Sequence, residues 1–311
     1  MPHPAKWIKA NPDELVTDVA ARSLSGRLKP VRRHLLLATK NAEDDIEYIH
    51  QVRVCSRRAQ AALRLYGELL PAWRAAWIEK QLHRIRDATN DARDDDVFAS
   101  RLMADETDPG AARLLARVRA HRVDAQQQVL EIYWRLKHKD RFERRVAKLL
   151  KHVRLRGKYK GKKLKFGKWA APRFQPLVDD FFEAGRAGFL VNDKLHKFRI
   201  AGKKLRYAME LLSSAFQDEL RSELYPLLSN LQEKLGEIND QVMAGTRIKY
   251  WIDEDDDSKE VDYLQNMLVG EQKQLAEKRV AFFAWWTADR EQGMRAAFSQ
   301  VLSSEGDSGS S

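Results

Sequence analysis

Apolar residues recur at three- and four-residue spacing through most of the chain, and alternating runs of the strand type are scarce. With only 15 glycines and 9 prolines to interrupt it, the pattern predicts a fold that is nearly all helix. Breaks are expected at Pro71, at TDPG (Thr107 to Gly110), across the glycine-rich residues 157–167, at AAPRFQP and at the acidic DEDDD (Asp253 to Asp257). They leave helices of roughly 15 to 30 residues. Asp108, ahead of Pro109, and Ser258 are placed to act as N-caps.

Sliding the sequence against itself reveals a duplication at an offset of 146 residues. His50 falls on His196, Arg53 on Arg199, Arg57 on Lys203 and Arg58 on Lys204. Expected core positions match too: Val54 on Ile200, Leu65 on Leu211, Leu82 on Leu228 and Ile85 on Leu231. Asp94 of ARDDDV falls on Asp240 of INDQV. The start near Pro109 maps to the acidic turn at residue 255, and a first helix near residue 29 maps to Gln175, so each half reads as four main helices with a shorter fifth. Two such units with short connections make antiparallel bundles, related by an approximate two-fold axis if they pack on each other.

The repeated helix carries a cationic stripe. At roughly 100° per residue, His50, Arg53, Arg57 and Arg64 fall within about 60°, and His196, Arg199, Lys203 and Arg206 within about 80°. Opposite them Val52, Ala59, Leu63, Tyr66 and Leu70 form an apolar seam, as Phe198, Leu205, Leu212 and Phe216 do in the second half. Like charges at i,i+4 repel by a few tenths of a kcal/mol, so a stacked stripe calls for acids or an anion. The nearby Glu43, Asp44, Asp45 and Glu47 precede the stripe, where they suit the helix dipole and do not interleave with the arginines. A mixed Arg and Lys stripe grips phosphate or carboxylate oxygens without reading a base edge, and histidine adds a donor.

Composition narrows the partner. Fifty-six Lys and Arg against 45 Asp and Glu give a net charge of +11, which favours a polyanion. A hydrophobic content of 43% fills a real core. The single cysteine, Cys55, excludes an intramolecular disulfide framework and a Cys-based zinc cluster, and fits a reducing cytoplasm. No apolar run approaches the roughly 18 residues of a spanning helix, and the N-terminus lacks a leader-like apolar stretch, so the chain reads as soluble and cytoplasmic.

The stretches IHQVRVCSRRAQAAL and LHKFRIAGKKLRYAMEL, followed by ARDDDV and LGEINDQV, resemble the conserved histidine α-helical domain family, CHAD, over about residues 25–303. That resemblance implies two four-helix bundles around a basic central channel that binds inorganic polyphosphate, often at polyphosphate granules. It carries His50, Arg53, Arg57, Arg58, His196, Arg199, Lys203, Lys204 and Arg206 over as ligand contacts. Gln60 and Ala61 stand where the second half has Arg206 and Tyr207, which weakens the first-half grip. Arg64 is placed to compensate.

From Lys151 to Arg173 the chain carries ten Lys or Arg and no acid, with Tyr159, Phe166 and Trp169 between them. This reads as an arm that captures polyanions between the halves. GKYKGKK has the glycines and lysines of a phosphate loop, yet its spacing is short, no Ser or Thr follows the lysine and no strand precedes it. Asp94 and Asp240 read as caps or bridges to the basic helix, since no nucleophile with a base beside it is visible. The run at Asp253 to Asp257 reads as a solvated turn without Ca²⁺-loop spacing. Trp285 and Trp286 read as core or subunit-contact residues.

The expected organisation is an N-terminal extension (1–24), a first bundle (25–155), a basic connecting arm (156–173), a second bundle (174–303) and a disordered tail (304–311). The expected function is non-catalytic polyphosphate binding with no metal and no cofactor. The alternatives are a nucleic-acid binder, or an enzyme that phosphorylates His50 or His196 or hydrolyses phosphate with a metal.

Overall fold

The computed structural model describes residues 6–40, 45–105, 107–159, 164–186, 192–254 and 258–303. The expected disordered tail, the acids Glu43 and Asp44, Asp255 to Asp257 and residues 160–163 of the connecting segment lie outside the described residues. The helices are α1 (Val16–Lys40), α2 (Glu47–Leu65), α3 (Ala72–Asp87), α4 (Asn90–Leu102), α5 (Pro109–Lys137), α6 (Arg141–Tyr159), α7 (Phe166–Arg186), α8 (Asn192–Leu212), α9 (Tyr225–Asp253), α10 (Ser258–Trp285) and α11 (Ala288–Ser303). Among the described residues there is no strand beyond one isolated bridge between Leu15 and Lys165, so the fold is all-α. No helix among them is long and apolar enough to cross a membrane.

Helix starts follow the expected chemistry at α5, where the Asp108 carboxylate accepts from the amides of Gly110 at 2.7 Å and Ala111 at 3.1 Å. Ser258 begins α10, although its side chain lies outside the described residues. The break expected at AAPRFQP is absent: Pro172 and Pro176 sit inside α7. Each proline removes a backbone hydrogen bond, at about 3 kcal/mol. Burial of Phe166, Trp169, Phe174, Val178, Phe181 and Phe182 outweighs it, at roughly 1.5 to 3 kcal/mol for each large side chain. Pro30, which precedes Pro176 by the repeat offset, lies likewise inside α1.

At that offset α1 corresponds to α7, α2 to α8, α3 with α4 to the single α9, α5 to α10 and α6 to α11. The third helix is divided only in the first half. There the Thr89 hydroxyl donates to the carbonyls of Ile85 at 2.9 Å and Arg86 at 3.0 Å, competing with the helical ladder. Its counterpart Leu235 is buried and lets α9 continue.

Two expected boundaries move. Helix α1 begins at Val16, ahead of the bundle start expected at residue 25 and the first helix expected near residue 29, and buries Val16, Val19, Ala20, Ala21 and Leu24, so much of the expected N-terminal extension belongs to the core. The described parts of the connecting arm are also anchored: residues 151–159 end α6, and Phe166 and Trp169 are buried at the start of α7. The Val16 amide donates to the Leu164 carbonyl at 3.0 Å, and the Phe166 amide to Glu14 at 2.9 Å, stitching the segment to the N-terminal residues. Trp169 stacks on Tyr66 with ring centroids 5.2 Å apart. Phe166 and Trp169, expected in a polyanion-capturing arm, are held instead by apolar burial.

The large core draws on both halves, from Val19 and Leu63 to Phe198, Leu228 and Phe298. A smaller one, formed by Phe98, Leu102, Leu114, Leu115 and Val118 with Ile248, Trp251 and Leu264, joins α4 and α5 to α9 and α10. The expected core pair Val54 and Ile200 is not in either: Val54 is half-buried and Ile200 is 39% exposed. Between the halves α1 meets α7, α2 meets α8 and α5 meets α10, each an element against its own counterpart. Polar contacts repeat the pattern. Arg247 bonds Asp95, and Arg101, the counterpart of Arg247, donates at 3.3–3.4 Å to Gln241, the counterpart of Asp95. Reciprocal pairing of this kind is what an isologous contact requires.

Candidate anion-binding site between the two halves

The apolar seams of α2 and α8 are buried as expected: Val52, Ala59, Leu63, Tyr66 and Leu70 in one half, Phe198, Leu205 and Leu212 in the other, with Phe216 half-buried. With those faces fixed inward and α2 against α8, the cationic stripes have little freedom. Arg57 lies close enough to Arg199 and Lys203 to disfavour the charged form of each. Burial lowers Lys203 to about 7, helped by Arg199, Arg57 and Arg206 and opposed by Asp240. Burial also lowers Arg199, partly offset by Asp240. Arg57 and Lys203 are themselves counterparts, so the field is shared at the place where the copies meet.

Asp240 favours the charged forms of Arg199 and Lys203 without forming an ion pair with either. Among the described residues none of Arg57, Arg199, Lys203 and Arg206 has a carboxylate within 4.0 Å, and the Nε atoms of Arg57, Arg199 and Arg206 are buried without a hydrogen-bond partner. A buried donor left unpaired costs about 1–3 kcal/mol, more when charged. Donors in this state match a ligand rich in acceptor oxygens.

The other expected contacts divide. Arg53 is spent on structure: its Nη1 donates to the Arg86 carbonyl at 2.8 Å, to Asn90 Oδ1 at 2.6 Å and to Thr89 Oγ1 at 3.3 Å, capping the end of α3. Burial and then Arg57 push it down to about 10, still charged at neutral pH. Arg58 turns away from the stripe, its Nη2 donating to Glu210 Oε1 at 3.0 Å and its Nε 2.9 Å from Oε2. Glu210 is buried, reached also by Arg27 at 3.4 Å and by the Tyr225 hydroxyl at 3.0 Å. Arg64, placed by sequence to compensate for Gln60, holds Glu79 at 2.9 Å, and Gln60 is buried. Lys204 is exposed.

The histidines differ as well. His50 is half-buried and its pKa is lowered, first by burial and then by Arg93, Arg57 and Arg53, whereas His196 is exposed. Neither has a hydrogen-bond partner among the described residues. Asp94 stands in the field of Arg53, and Asp240 in that of Arg199, the same relation in both copies. No group of three or more His, Cys, Asp or Glu among the described residues is placed to hold a metal ion.

Sequence reasoning missed Arg86 and Arg93. Arg86 has a buried, unpartnered Nε and is lowered by burial and by Arg57; Arg93 acts on His50 and Arg53. Their counterparts are Gln232 and Asn239, so a search for repeated cations passes over both. Glu210 was missed because its counterpart is Arg64 and nothing in its helix marks it as buried.

A family model described as the CHAD domain matches residues 19–249. Among solved structures, the crystal structure of the CHAD domain from the plant Ricinus communis superposes with a TM-score of 0.71 at 23% identity, covering 91% of this chain and 96% of that one. PptA from Streptomyces chartreusis superposes with a TM-score of 0.60 at 16% identity, covering 86% and 97%. No curated protein matches the chain.

Proposed function

Because the chain belongs to the CHAD family, and because its unpaired cations gather where the two halves meet, we propose that it binds inorganic polyphosphate non-covalently in a trough between α2 and α8. The observation that supports this reading is Arg57 of one half acting on Arg199 and Lys203 of the other, with Asp240 in the field of the latter two and no carboxylate within 4.0 Å of any of the three among the described residues. A linear phosphate chain offers acceptors at every unit and no base edge, which suits side chains that present only donors. Arg57, Arg199, Lys203 and Arg206 are the principal contacts, with Arg86, His50, His196 and Lys204 at the margins. Arg53 and Arg58 support the two helices, and Arg64 lies outside the grip.

Binding without turnover is the companion reading, with recruitment or organisation of polyphosphate as the work performed, at polyphosphate granules in the cytoplasm. Titration of long-chain polyphosphate at several salt concentrations tests it. The Arg57→Glu, Arg199→Glu variant should bind at least tenfold more weakly and with a shallower salt dependence, each lost phosphate contact lowering the slope by about one. Unchanged binding would refute the trough, preference for duplex DNA or RNA at matched charge would favour a nucleic-acid binder, and orthophosphate release with Mg²⁺ or Mn²⁺ would reveal an enzyme.

A further inference from the structure

A second cationic cluster lies outside the duplicated helices. The start of α3 and the α5–α6 corner enclose a cavity of about 490 Å³ lined by Trp73, Arg74, Arg141, Arg144, Arg145 and Lys148. The corner itself adds His138 and Lys139. Lys139 and Asp140 are the two described non-glycine residues with positive φ, at 50° and 48°. The nearest acids on this corner are turned elsewhere, Asp140 toward Lys137 at 3.9 Å and Glu143 to Arg32 at 2.5 Å. The Nε of Arg74 is buried without a partner.

Two indoles organise these guanidiniums. Arg74 lies over Trp73 at 4.1 Å from the ring centroid, Arg145 over Trp77 at 5.0 Å, and Arg141 over Trp77 at 5.6 Å. Cation–π contact favours a fixed arrangement without neutralising the charge, so the forks remain available to an anion. The counterparts of Trp73, Trp77 and Arg145 are Glu219, Glu223 and Glu291, so the feature belongs to the first half alone.

We propose that this cavity is a second anion site, specific to the first half, that takes condensed phosphate in the form of a short oligophosphate or a segment of a longer chain. It shares the ligand class of the trough but none of its residues, so either can fail alone. The test uses full-length protein with the trough disabled by Arg57→Glu and Lys203→Glu, titrated with tripolyphosphate by calorimetry and by tryptophan emission. Saturable binding should remain, with an emission change that Trp73→Phe removes. Adding Arg144→Glu and Lys148→Glu, both exposed positions, should weaken it about tenfold. Loss of all binding in the trough variant, while its helical circular dichroism is unchanged, would overturn the second site. Orthophosphate binding as tightly as tripolyphosphate, or preference for single-stranded DNA at matched phosphate concentration, would overturn the ligand class. Unchanged tripolyphosphate affinity in the trough variant alone would leave this site standing and count against the trough.

Discussion

Neighbouring arginines on one helix can have opposite tasks. Arg57 acts on Lys203 of the other half and has no carboxylate within 4.0 Å among the described residues, while Arg58, one position on, is committed to the buried Glu210. Removing one partner of a buried ion pair leaves an uncompensated charge, so Arg58→Ala should cost about 3 kcal/mol in urea unfolding while polyphosphate affinity changes little. Loss of affinity without loss of stability would reverse that assignment. Lys203 adds a pH signature. Its folded value near 7 lies below the ordinary 10.5, so its charged form is disfavoured in the free protein below pH 7, and that penalty is relieved as pH rises from 7 toward 10.5. A bound phosphate favours the charged form, so binding takes up a proton above pH 7 and affinity should fall about tenfold between pH 6.5 and 8.5. Lys203→Arg should flatten the profile, and a steep profile in that variant would place the titration elsewhere. The repeated cations were legible from sequence because duplication wrote them twice. Their division into side chains with protein partners and side chains without was not, since it depends on Glu210, Thr89 and Asn90, which no spacing rule connects to the stripe.

Periodicity located the helices well where turns carry their own chemistry, as at Asp108. It failed where packing overrode a local rule, as at Pro172 and Pro176 in α7, whose apolar face is buried from Phe166 to Phe182. If burial holds that helix together, Phe174→Ala should destabilise the protein by about 3–5 kcal/mol in chemical denaturation. A loss below 1 kcal/mol would mean that α7 depends on something other than its core face. The basic segment before it shows the same competition, because composition alone cannot tell a solvated aromatic from Trp169 stacked on Tyr66.

The halves share a core and exchange reciprocal polar contacts, Arg247 with Asp95 and Arg101 with Gln241. Unfolding should therefore be one transition, with tryptophan fluorescence and circular dichroism coinciding. Two separated transitions would show the halves to be independent. Sequence carried the duplication and its offset; which faces meet became visible only once α1, α2 and α5 were seen against α7, α8 and α10. The most direct measurement is a crystal structure grown with tripolyphosphate. Phosphate oxygens should lie within about 3 Å of Arg57 from one half and of Arg199 or Lys203 from the other. Phosphate bound only elsewhere, with those three side chains turned apart into solvent, would contradict the trough.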